Sequence, residues 1–142
     1  MTFGLLATLC AAIFTGAALY INFVEHPARM SLGTAVALAE WAPSYRRATL
    51  MQAPLAVIGL AAALAAWLLG GGAYWLVGGI LLGAVVPFTL LVIFGTNKQL
   101  LDPAIATDLG RAGVLLTRWN RLHAVRSALG LAALLTFLAL MR

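Results

Sequence analysis

Four long apolar runs dominate this chain, over residues 2–24, 50–69, 74–94 and 114–141. Each is about 20 residues or more, and a helix of that length crosses the roughly 30 Å hydrocarbon core of a bilayer. A soluble fold is excluded by composition. Of the 142 residues 63% are hydrophobic and 9% charged, with a mean hydropathy of +1.01; a soluble domain carries about 25% charged residues. Too few polar side chains remain to cover a water-facing surface. The expected fold class is all-α, an integral membrane bundle of four transmembrane helices forming a single domain over residues 1–142.

The charges sit in a few segments, and their placement predicts topology. The first run has no Lys or Arg before it and ends in Glu25-His26-Pro27-Ala28-Arg29 without a small-residue cleavage site, so it reads as a retained helix. A stretch of intermediate polarity, residues 30–49, leads to the second span. Gly70-Gly71-Gly72 makes a tight turn to the third, so these two spans are antiparallel neighbours. A polar connection over residues 95–113 precedes the fourth. The two long connections and their flanks hold Arg29, Arg46, Arg47, Lys98, Arg111, Arg118, Arg121 and Arg126, against Arg142 alone on the other side. The positive-inside rule then puts both connections in the cytoplasm and both termini outside. The net charge of +5 thus concerns topology and the lipid surface. No basic run with interleaved aromatics supports nucleic-acid binding. Cys10, the single cysteine, excludes an intrachain disulfide and a multi-cysteine zinc site.

Polar and aromatic residues recur at helical spacing towards the charged side. Trp119, His123, Arg126 and Gly130, four, three and four apart, share one stripe of the last span. Arg126 falls just inside the hydrocarbon boundary, where a guanidinium must snorkel, pair, or face a hydrated cavity; its companions on the stripe indicate an inward position. Thr15, Asn22, His26 and Arg29 would share an arc of the first helix if it continued, but Pro27 is expected to end it near Glu25-His26. Glu25 then lies at the depth of Arg126, and a Glu25–Arg126 charge pair is expected. Trp41, Tyr45, Ala48 and Gln52 repeat at four, three and four, as a site wall or as an aromatic belt at the membrane boundary. Thr89, Thr96 and Asn97 approach the same face, beside Pro87. His26 and His123 admit haem ligation, or with Glu25 a two-histidine-one-carboxylate metal set holding iron or copper. No H-x-x-x-H, C-x-x-C-H or E-x-x-H spacing supports either. Asp102 and Asp108 read as solvated residues that cap or break helices.

Several motifs, in order, carry a resemblance: Gly16-x-x-x-Tyr20, Glu25-His26-Pro27-Ala28-Arg29, Trp41-x-x-x-Tyr45-Arg46-Arg47 with Met51-Gln52, Pro87 with Thr96-Asn97-x-x-Leu100-Leu101, and Trp119-x-x-x-His123-x-x-Arg126-x-x-x-Gly130. Together they resemble the anthrone-oxygenase-like family of small four-helix membrane proteins, whose bacterial members are mostly of unknown function. The resemblance spans nearly the whole chain. It implies oxidation of an activated aromatic C–H to a quinone, with dioxygen as co-substrate and no established cofactor, in a bacterial inner membrane. Such chemistry needs a base, a donor for an enolate oxygen, and aromatic walls. His123 or His26 would be the base, Arg126 and Asn97 the enolate stabilisers, and Glu25 the partner of a histidine or of Arg126. Tyr20, Trp41, Tyr45 and Trp119 would be walls, with Asn22 and Gln52 as further substrate contacts. Two rival functions use the same residues. One is a non-enzymatic binding or transport protein for a lipid, quinone or other hydrophobic small molecule; the other is a haem- or metal-dependent oxidoreductase. Membrane lipids are expected partners, and an oligomer is open.

The charge count makes a direct prediction. In a cysteine-free background, a cysteine in the Gly70–Gly72 turn labels from outside and one at Asp102 from inside. The reverse pattern contradicts the orientation.

Overall fold

The computed structural model describes residues 2–139, and within them the chain is a bundle of four long helices. They are α1 (Thr2–Ser31), α2 (Thr34–Ala66), α3 (Ala73–Leu101) and α4 (Leu109–Ala139). Each packs against its neighbours in chain order, α4 closes the ring against α1, and the diagonal pairs meet far less. This up-down-up-down arrangement follows from short links between successive helices. The last two residues of the expected fourth span, 140 and 141, lie outside the described residues, as does Arg142. All four helices are long and apolar enough to cross a membrane. Leu91, Leu50 and Phe23, 83%, 78% and 75% exposed, point away from the bundle as lipid-facing side chains do. The protein is an integral membrane protein.

The helices outrun the hydrocarbon. The 30 residues of α1 measure about 45 Å and the 33 of α2 about 50 Å, against roughly 30 Å of bilayer core. The excess lies at the charged end, because the other end is closed by the glycine turn. Residues 30–49, expected as a connection, are almost wholly helical, with only Leu32 and Gly33 between α1 and α2. In residues 95–113, α3 persists to Leu101, a 3-10 turn covers Pro103–Thr107, and α4 begins at Leu109. Hydropathy marks where lipid ends; backbone hydrogen bonds carry the helix on into water. Asp102 and Asp108 do cap, accepting from the Ala104 and Arg111 backbone N–H groups at 2.9 and 3.0 Å.

Pro27 does not end α1, contrary to expectation. A π-helical turn over Ile21–Glu25 precedes it, and the His26 N–H reaches five residues back to the Ile21 carbonyl. The widened turn lets the helix pass the proline, which lacks an N–H and crowds the preceding turn. A second π-helical turn, Thr89–Ile93, follows Pro87 in α3. At the other end a π-helical turn, Trp67–Gly71, prolongs α2, and Gly70 within it takes φ +87°, a left-handed conformation that stops the helix without a Cβ penalty. A side chain at Gly71 would meet the Ala66 carbonyl at 2.7 Å, so exposed Ala73 is the better site for the labelling cysteine.

The core has two halves. Near the glycine turn it is apolar and tight: Phe14, Leu82, Val85 and Phe137 pack among alanines. Glycines there let helices approach closely, the means by which membrane helices associate. A Cβ at Gly78 would sit 2.4 Å from the Phe137 ring, and one at Gly130 would sit 2.8 Å from Phe14. Near the charged end the interior turns aromatic and polar. Gly78→Leu should therefore destabilise the bundle by about 2 kcal/mol or more through overpacking, whereas Gly95→Ala, with open space around it, should not. Thermal melting in detergent distinguishes the two.

Candidate functional site

One amide organises the polar half. Asn22, on the π-helical turn of α1, donates through Nδ2 to the backbone carbonyl and side-chain Oδ1 of Asn120, at 3.0 and 2.7 Å. A carbonyl oxygen only accepts, so the amide cannot be flipped. Asn22 Oδ1 therefore faces the other way, accepting from Ser127 Oγ at 2.6 Å and lying 2.9 Å from His123 Nδ1. Against an acceptor, Nδ1 must carry the proton. The neutral imidazole then keeps its lone pair on Nε2, and His123, 1% exposed, is held in one tautomer and one orientation.

Aromatic rings surround that imidazole. Trp119 stacks on His123 at 4.8 Å and lies 5.7 Å from His26. Trp41 meets Trp119 edge-on at 5.7 Å and stacks on Tyr45 at 5.0 Å. The Tyr45 hydroxyl accepts from Asn97 Nδ2 at 3.1 Å, tying α2 to α3. Three turns of helix thus present Trp41, Tyr45 and Trp119 to one another, and α1 supplies His26.

Arg126 reaches across to α2, donating to Gln52 Oε1 at 3.0 Å, with its guanidinium 5.8 Å above the Phe14 ring. Among the described residues it has no carboxylate partner. Arg126 Nε, Gln52 Nε2, Trp41 Nε1, Asn97 Oδ1 and His26 Nδ1 are buried without a hydrogen-bond partner among the described residues. Buried polar groups are normally satisfied, and the orphans on Arg126 and Gln52 belong to residues that border one small void, where water or ligand would complete the set. A void of about 10 Å³ lies there, bordered by Tyr45, Gln52, Trp119, His123 and Arg126. It has room for about one water molecule.

The family comparison bears on this geometry. The sequence profile of the anthrone oxygenase family matches residues 41–136. The chain belongs to the anthrone oxygenase family. The matched segment carries Trp41, Tyr45, Gln52, Asn97, Trp119, His123 and Arg126, while Asn22 and His26 come from α1, outside it. No curated protein and no solved structure matches the chain.

Three expectations need correction. Glu25 does not pair with Arg126. Its carboxylate is engaged by Arg29 and by the Ser44 hydroxyl, and Arg29 also binds Glu40 at 2.6 Å. The cause is the continuous α1, which puts Arg29 one turn beyond Glu25 and brings both against the helical start of α2. Glu25 thus belongs to an ion cluster at the membrane boundary and, among the described residues, makes no hydrogen bond to either histidine. Tyr20 is not a wall either. It is 56% exposed and points outward, at the depth where tyrosines line membrane interfaces. Asn22, read as a substrate contact, instead has its amide fully used inside the protein.

Arg29, Glu40, Ser44, Asn120 and Ser127 are the participants that sequence reasoning missed. Ser127 had a signal, four residues beyond His123 on the same stripe. Glu40 had none while residues 30–49 were read as a connection. The metal sets do not fit these residues. No three His, Cys, Asp or Glu side chains among the described residues are placed to share an ion, since Arg29 and Ser44 hold Glu25. Haem needs a porphyrin-sized gap at its ligands, whereas both imidazoles pack against the Trp119 ring and the void beside His123 is about 10 Å³.

The corrected pairing has a thermodynamic signature. Glu25→Gln and Arg29→Gln should couple non-additively, each costing about 1–3 kcal/mol given that the Glu25 side chain is 26% exposed. Glu25→Gln and Arg126→Gln should add. A double-mutant cycle on detergent melting reads both.

Proposed function

We propose that the protein is a membrane-embedded oxygenase that converts an anthrone-type aromatic methylene to a quinone by base-assisted reaction with dioxygen. The observation that carries this reading is the pairing of His123, its proton fixed on Nδ1 by Asn22, with Arg126, a cation lacking a counter-ion, beside one void. A methylene between rings conjugated to a carbonyl is acidic. His123 Nε2 takes one of its protons, and the charge moves to the carbonyl oxygen as an enolate. Arg126, with Gln52 beside it, is the donor pair suited to that oxygen, and a preorganised cation in a dry interior stabilises developing negative charge strongly. The electron-rich carbon forms a C–O bond to dioxygen, giving a hydroperoxide on protonation. Removal of the second C–H proton forms the new C=O as the O–O bond breaks, and water leaves. One dioxygen is consumed per quinone and water formed, and the protein supplies no electrons.

The resting void is far smaller than three fused rings, so binding requires displacement. Tyr45 is suited to it: half-buried, stacked on Trp41, and held otherwise by one hydrogen bond to Asn97. A flat aromatic entering there exchanges one ring stack for another. The orphaned donors of Trp41 and Arg126 would then find acceptors on the substrate. In the orientation favoured by charge, this site opens towards the cytoplasmic side of a bacterial inner membrane.

His123→Ala should reduce oxygen consumption with an anthrone-type substrate by about 10²–10⁴-fold, and Arg126→Gln by about 10²-fold, while both remain folded. Near-normal turnover by His123→Ala contradicts the assignment. A wild-type protein that binds quinones but consumes no oxygen points instead to carriage of a hydrophobic ligand.

A further inference from the structure

A second feature lies away from the interior site, on the outer face of α4. Thr34, Gly113, Val114, Thr117, Arg118 and Arg121 border an open groove of about 620 Å³ at the charged end of the bundle. We propose that this groove is a binding site for the headgroup of an anionic phospholipid, with Arg118 and Arg121 on its phosphate.

Charge is the first argument. Arg118 and Arg121 stand one turn apart on the same face, and neither has an ion pair or hydrogen bond within the described residues. The four acidic residues are all committed elsewhere. Glu25 and Glu40 bind Arg29, while Asp102 and Asp108 cap backbone N–H groups. No acid lines the groove; Asp108 stands at its far end, where its Oδ1 would lie 3.6 Å from a Cβ on Gly110. Two guanidiniums so placed offer a fork of donors suited to phosphate oxygens.

Shape is the second. Gly113 has no side chain, so the groove floor stays open beneath Thr34, whose Oγ1 would be 3.5 Å from a Cβ there. Among the described residues the Thr34 hydroxyl has no partner, whereas Thr117 is occupied with the Gly113 carbonyl at 3.0 Å. The groove thus adds one free hydroxyl to two free cations.

Depth selects the source of the phosphate. From Ala139, Arg121 and Arg118 lie about 27 and 32 Å along the helix, one hydrocarbon thickness away, at the level where headgroup phosphates lie. Tyr20, outward-facing and about 27 Å from the start of α1, marks the same level. The groove continues beyond that level into water, so it takes the headgroup while acyl chains stay in the bilayer. A lipid at this place would brace the α1–α2 turn against α4.

The test is lipid retention by the full-length protein, measured by native mass spectrometry after release from nanodiscs of mixed phosphatidylglycerol and phosphatidylcholine. Wild-type protein should retain phosphatidylglycerol in preference. The Arg118→Gln/Arg121→Gln double variant should lose that preference by about thirtyfold, taking each arginine's attraction to an anionic surface as about 1 kcal/mol. Arg46→Gln/Arg47→Gln, with the same change in net charge but outside this groove, should keep it. Equal retention of the two lipids, or equal loss in both double variants, overturns the proposal. Complete displacement of the lipid by inorganic phosphate also overturns it, in favour of a free-phosphate site. Unchanged melting of each variant shows that the bundle itself is intact.

Discussion

Hydrocarbon offers no hydrogen bonds, so every polar side chain placed within it must find a partner inside the protein. That constraint explains why Asn22 matters beyond its size. Its amide makes four contacts to three residues of α4, joining the first helix to the last and fixing the orientation of His123 at the same time. The π-helical turn that carries Asn22 also allows α1 to pass Pro27. Without that turn neither His26 nor Arg29 would lie where it does.

The division of the core follows from the same constraint. Small residues and close ring contacts seal the half nearest the glycine turn, where Phe14 and Phe137 press on Gly130 and Gly78. This leaves the polar groups to collect near the charged end, where bilayer gives way to water. Phe14 belongs to both halves: it packs against Gly130 and lies beneath the Arg126 guanidinium. A cation that would be costly in lipid is thereby held beside an aromatic face and an amide, still lacking an anionic partner. An enolate oxygen is the kind of group that would supply one.

Much of this was legible in the residues, and the failures are instructive. The four spans followed from apolar runs, and the Trp119–His123–Arg126 stripe from its spacing of four and three. The Gln52 position followed from the repeat beginning at Trp41. What could not be read was helix beyond the lipid boundary, because hydropathy falls there while backbone bonding does not. That hid Glu40 as a partner of Arg29 and misdirected Glu25 to Arg126. Proline was read as a terminus because sequence shows the missing N–H but not the extra residue that absorbs it. Tyr20 shows the limit of motif reasoning: its place in an ordered series of motifs says nothing about which side of the helix faces lipid.

The account rests on His123 being a base held in a single tautomer, and nitrogen-15 NMR of labelled histidine tests this without reference to any substrate. The chain has two histidines, so a His26→Gln variant assigns the spectrum. At pH 8, above the ordinary range of histidine titration, His123 should show a protonated Nδ1 and a bare Nε2. Replacing Asn22 with leucine should abolish that uniformity. A wild-type spectrum with the proton on Nε2, or with both tautomers in exchange, would contradict the account.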